Sequence, residues 1–133
     1  MYLQSLSKNT WATIAHSLFA ISQMNYQAIL DRKLKTLFPQ ASARQKLSAL
    51  LESYGSEDYE REPERVRLAI LKPSASDAKK LQEYLDIAKI DYRDVLAMAE
   101  YPRQLKDPSF TYDEDKQKLI DADRTEYEKW LSD

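Results

Sequence analysis

The sequence predicts an all-α fold, an irregular bundle of five to seven helices with a long N-terminal helix. Three observations carry that prediction. Apolar residues recur at i, i+3, i+4 and i+7 in one segment after another, the spacing of a helix with one buried face. Pro, Asn, Asp, Ser and Thr stand at the ends of those segments, where helix caps and breaks are made. No five-residue stretch alternates apolar and polar convincingly between turn signals, so no sheet is expected; residues 1–6 are the one place for a short strand.

The first helix opens near Asn9 or Thr10, either of which can cap free amides. Trp11, Ile14, Ala15 and Leu18 share one face, and Tyr26, Ile29, Leu30, Leu34 and Leu37 continue an apolar stripe as far as Pro39. Two readings stay open for residues 10–37. One is a single helix of about 42 Å at 1.5 Å per residue, longer than the roughly 36 Å diameter of a compact body of this length, so that it overhangs and invites a partner subunit. The other is a break near Ser22–Asn25, where Met24 leaves the stripe.

A second helix runs from about Ala41 to Tyr54, with Leu47, Leu50, Leu51 and Tyr54 at helical spacing and Gly55 as a left-handed C-terminal cap. An acidic loop, residues 56–64, leads into a third helix whose first turn tolerates Pro63. Val66, Leu68, Ala69, Ile70 and Leu71 make that helix apolar over most of its circumference, hence central, and Pro73 is expected to end it. Ser74 with Asp77 has capping-box spacing ahead of a fourth helix, with Leu81, Tyr84, Leu85 and Ala88 on its buried face, to about Ile90. Asp91 caps a short helix holding Tyr92, Val95, Leu96 and Ala99, which stops before Pro102. Residues 101–110, with Pro102 and Pro108, form a linker that cannot be regular helix throughout. Thr111 and Glu114 supply another capping-box pair for the last helix, which buries Leu119, Ile120, Tyr127, Trp130 and Leu131.

The chain has the length of one domain: 133 residues, read as a single helical domain in which residues 1–40 serve oligomerisation and 41–133 form the body. With no Cys there is no disulfide, thiolate metal site or cysteine nucleophile, and the single Gly excludes the Gly-rich phosphate loops. No membrane span and no secretory leader are expected, because polar residues interrupt the longest nearly uncharged stretch, 9–30; a cytoplasmic location follows as an expectation.

Charge is unevenly spread. The first 50 residues hold six basic side chains against Asp31 alone, a net +5, while the remainder holds 14 basic against 21 acidic, a net -7. Arg32, Lys33, Lys35, Arg44 and Lys46 form a basic group suited to an anion or RNA, with Tyr26 and Phe38 nearby as stacking groups. The competing reading is a solvated helix surface that pairs with the acidic part of the same chain. Nucleic acid is not the expected partner, since Glu57, Asp58, Glu60, Glu62 and Glu64 precede the one segment that imitates a helix-turn-helix.

Candidate chemistry is sparse. His16 is the only histidine and has no acid within a helical turn, so it reads as a core or boundary residue. The acidic groups at 57–62 and 113–115 do not match a calcium loop and read as loop solvation and helix N-terminal electrostatics. Ser76 with Lys79, and Ser5 with Lys8, have the Ser-x-x-Lys spacing of some acyl-transfer enzymes without the partner motifs; capping explains the first pair. Catalytic residues, metal and cofactor are all expected to be absent. Of nine tyrosines, Tyr54, Tyr84, Tyr92 and Tyr127 fall on buried stripes, and Tyr59, Tyr101 and Tyr112 lie in or beside loops.

The run Arg65 to Lys72 together with Asp91 to Pro102 resembles a segment of small bacterial all-helical proteins, over residues 62–102. The resemblance implies a bacterial, cytoplasmic helical protein and no activity. The expected function is a non-enzymatic protein-interaction module, a homodimer built on the long first helix through Trp11, Leu18 and Ile29. The alternative is an anion- or RNA-binding accessory protein using the five basic residues.

Overall fold

The computed structural model describes residues 25–133, and the readings that fall on residues 1–24, including Trp11, His16, Leu18 and most of the long first helix, lie outside them. About 75% of the described residues are helical, in seven helices with no strand among them. In chain order these are α1 (Tyr26–Leu37), α2 (Ala41–Glu52), α3 (Pro63–Ser74), α4 (Ala78–Ile90), α5 (Tyr92–Glu100), α6 (Pro102–Lys106) and α7 (Glu114–Ser132).

Helix α1 opens at Tyr26 because Asn25 is extended and its side chain accepts from the Ala28 amide, a standard N-cap. The choice between the two readings for residues 10–37 rests on residues 10–24 as well, which lie outside the described residues; what is described is a helix that starts at Tyr26. Ile29, Leu30 and Leu34 turn inward and α1 packs on α3. The core is built around α3, whose Val66, Leu68, Ala69, Ile70 and Leu71 are all fully buried between α4 and α5. At about 2 kcal/mol per large aliphatic side chain removed from water, this one helix anchors most of the assembly.

Four sequence readings at helix ends need correction. Gly55 does not cap α2, which ends at Glu52 with Ser53 as its C-cap. Pro73 does not end α3 but lies inside its last turn, where its missing amide bond and ring disturb only the final residues; the helix closes one residue later at Ser74, where the Ala75 amide reaches the Leu71 carbonyl. Ser74 does not cap α4: its hydroxyl donates to the Leu71 carbonyl, and Asp77 caps by accepting from the Lys79 and Lys80 amides. Likewise Asp113, not Thr111, caps α7 through the Lys116 amide. In both cases a carboxylate stands closer to the free amides than the expected hydroxyl and takes them first.

The loop from 53 to 62 fixes where α3 begins. Glu60, 6% exposed, accepts from the amides of Gly55 and Ser56 at 2.8 and 3.1 Å. Gly55 has φ +110°, and a Cβ there would stand 3.0 Å from that of Pro63, so this turn needs glycine. Tyr54 donates its hydroxyl to the Arg61 carbonyl, and burial pushes its phenol up to about 12. Arg67 donates to the carbonyls of Leu51 and Tyr54 at 3.0 and 2.7 Å, closing the end of α2. Glu62 itself is left-handed (φ 49°, ψ 55°), a conformation that costs a non-glycine residue about 1 kcal/mol.

Helix α7 attaches differently. Asp123 is 1% exposed and accepts from the amides of Arg103 and Gln104 and from both their side chains, all at 3.0 to 3.1 Å. The carboxylate thereby supplies free amides at the start of the five-residue α6 with an acceptor. Farther along, Arg32 donates to the Leu131 carbonyl and the Lys33 ammonium lies 4.6 Å from the Trp130 ring centroid.

Candidate functional site

The entry to α3, the end of α5 and one face of α7 enclose a cleft of about 690 Å³, with Tyr26 of α1 at its edge. A volume in that range accommodates a ligand or several side chains of a partner. The α7 side is Ile120, Arg124, Tyr127, Glu128 and Leu131, spaced so that they share one helix face. The opposite side is Glu62, Pro63, Glu64 and Arg65 at the start of α3, with Glu100, Tyr101 and Gln104 beneath.

A forked ion pair spans the floor. Arg65 donates Nε to Glu100 at 2.7 Å and a terminal nitrogen to the other Glu100 oxygen at 2.5 Å, while its remaining nitrogen reaches both Glu62 oxygens at 3.1 Å. The hydrogen bonds to Glu100, against the opposing effect of burial, hold the guanidinium firmly charged. This arrangement ties α3 to α5, and the Glu62 carboxylate adds a second partner for Arg65.

Tyr127 is 9% exposed, stacks on Trp130 with ring centroids 5.7 Å apart, and contributes to the cleft. Burial, then the nearby Glu100 carboxylate, pushes its phenol well above the ordinary value, so at neutral pH it is an O–H that can both donate and accept. Burial and Glu100 likewise raise Tyr26. Among the described residues, the Tyr127 hydroxyl and Glu128 Oε1 are the two buried side-chain polar atoms without a hydrogen-bond partner, and both residues line this cleft, with the atoms themselves just beneath its surface. A smaller hollow of about 440 Å³ under residues 107–119 differs, because Lys116 there pairs with Asp107 and donates to the Ser109 carbonyl.

The residues singled out from sequence are not gathered at this cleft. Ile29 is 8% exposed and packs in the core of its own chain, which removes it from an interaction surface. Arg32 is spent on the Leu131 carbonyl, Lys33 is 4% exposed beneath Trp130, and Arg44 donates to the carbonyls of Phe38 and Pro39. Lys35 and Lys46 are exposed. The acidic stretches are also employed internally, Glu60 in its loop and Asp113 as a cap. Among the described residues no group of three or more His, Cys, Asp or Glu is placed to hold a metal ion, and no helix is long and apolar enough to cross a membrane.

What sequence reasoning missed is the meeting of residues 62–65, 100–104 and 120–131. Periodicity marks each helix face but not which faces converge. The available signal was Tyr127 itself, a large aromatic with a hydroxyl on a helix otherwise dominated by charge. No family model matches the chain, and neither a curated protein nor a solved structure does.

Proposed function

We propose that the protein is a non-enzymatic interaction module that takes a segment of a partner protein into the cleft between α7 and the ends of α3 and α5. The observation that carries this reading is the Tyr127 hydroxyl, nine-tenths buried at the cleft and without a partner among the described residues. A buried hydroxyl left without a hydrogen bond costs about 1–3 kcal/mol, which a guest carbonyl or amide would recover. Peptide groups carry both an acceptor and a donor, matching the two orphan atoms Tyr127 Oη and Glu128 Oε1. Tyr26, Tyr101, Ile120 and Leu131 supply apolar surface around them. Both carboxylate oxygens of Glu100 are occupied by Arg65, which favours a positioning role over proton transfer.

The test is selection of a displayed peptide library, with apolar residues fixed at i, i+3, i+4 and i+7, on the full chain. Winners should bind with micromolar dissociation constants and lose at least tenfold in affinity on Ile120→Ser and on Tyr101→Ser, with the fold of each variant checked by circular dichroism. Winners indifferent to both substitutions defeat the proposal. Light scattering separates a foreign partner from a second copy: a monomer at micromolar concentration leaves the cleft to a foreign segment, and a dimer abolished by Tyr101→Ser puts another copy there.

A further inference from the structure

The charges at the cleft bear on which kind of segment it takes, an inference that rests on the reading just given. Arg65 is engaged by Glu62 and Glu100, and Arg124 by Asp121. Glu64 and Glu128 pair with no cation among the described residues. Glu128 Oε1 is moreover buried without a donor. A carboxylate oxygen removed from water without a donor is costly, so a turn of the half-buried Glu128 side chain that brings it to a guest N–H relieves a penalty as well as adding a bond. A cationic N–H does more than a neutral one, since charge-assisted bonds are roughly twice as strong. Tyr26 and Tyr101, both half-buried at the cleft, offer aromatic surface that attracts a cation further. The lining face of α7 runs from Ile120 to Leu131, about 16 Å at 1.5 Å per residue. A trough of that length suits about three turns of a guest helix better than a compact small amine.

We propose that the cleft recognises a basic amphipathic segment of a partner protein, its apolar face against Tyr26, Tyr101 and Ile120 and a Lys or Arg on Glu128, with Glu64 at the rim. The same displayed library decides it, with the positions flanking the apolar ones randomised and the full chain as bait. Enriched peptides are expected to carry Lys or Arg over Asp or Glu by at least threefold at the flanks. For a winning peptide, replacing its cation with Gln should weaken binding about tenfold on the native chain and less than threefold on Glu64→Gln/Glu128→Gln. Glu64→Gln alone, at an exposed position, provides a variant whose folding is not in question and should take away part of that preference. Winners without basic enrichment, or a preference untouched by both variants, overturn the inference while leaving the interaction module standing, provided Ile120→Ser or Tyr101→Ser still weakens them. Spermidine displacing the peptide at equal concentration would also overturn it, making the guest a small organic cation. Winners indifferent to both Ile120→Ser and Tyr101→Ser remove both readings together.

Discussion

Six of the twelve residues of α3 are buried, five of them apolar, whereas α7 buries three of nineteen, one of which is the charged Asp123. Both helices border the same cleft. Helix α3 is held mainly by non-directional burial against α1, α4 and α5, to which the Arg65–Glu100 pair and the Arg67 bonds add directed contacts near its start. Helix α7 packs mainly on α6 and α5 and is held by directed bonds: Asp123 on the first turn of α6, Lys116 on Asp107, and Arg32 on its last carbonyls. The difference teaches that one wall of the cleft is set by the core, while the other can be released by removing single polar groups. Each prediction below breaks or sharpens that contrast.

The largest effect belongs to the core wall. Leu68→Ala removes a fully buried side chain and should cost about 2–5 kcal/mol, measured by urea denaturation of the whole chain. Hydrogen exchange should rise across α3, α4 and α5 together. If α7 alone loosened, the assignment of α3 as the anchor would be wrong.

Asp123→Ala should cost about 1–3 kcal/mol, because the amides of Arg103 and Gln104 lose their acceptor. Its signature is local: exchange protection falls in α6 and α7 while α3 is little changed. Equal loss in α3 would dissolve the distinction between the walls.

The same carboxylate gives a smaller, pH-dependent effect. Burial opposes ionisation of Asp123, but the hydrogen bonds from Gln104 and Arg103 outweigh it and hold the carboxyl below the usual range. A folded value below the unfolded one of about 3.9 means stability that is complete above that pH and lost as pH falls through the folded value. Trp130 fluorescence in a Trp11→Phe background should therefore report loosening of α7 below about pH 4. Asp123→Ala should flatten that transition; an unchanged profile would assign it to another carboxylate.

Much of this fold was legible because helix ends announce themselves in short-range chemistry. Pro63 in the first turn of α3 and Asp91 capping α5 act over a few residues and stand where the sequence puts them, while Gly55 has the expected positive φ but lies past the end of α2, which Ser53 caps. At Ser74 and Thr111 two capping side chains stand within a few residues of each other, and spacing does not encode which one takes the free amides; at Pro73 it does not encode that one more helical residue follows the proline. Burial was legible for Tyr54 and Tyr127, while Tyr84 and Tyr92 are only half-buried and Ile90 is exposed at the end of α4. The cleft was not legible, because Arg65 and Glu100 meet across 35 positions and α7 closes over them by way of Asp123. The basic residues misled for a related reason: Arg32 and Arg44 look solvated in one dimension but reach backbone carbonyls in three.

The smallest predicted effect is a gain, and it probes whether the core wall carries strain of its own. Ala75, just past α3, has φ 51° and ψ -123°, a conformation that glycine adopts freely and a Cβ resists. Ala75→Gly should stabilise the chain by about 1 kcal/mol, the relief of left-handed strain exceeding the added entropy of the unfolded glycine. The same substitution is expected to leave protection in α7 unchanged, because Ala75 is exposed between α3 and α4 and far in sequence from the bonds that hold the last helix. A loss of stability would mean that the Ala75 methyl group is gripped by its surroundings, and that the tight exit from α3 is enforced by packing more than by the backbone.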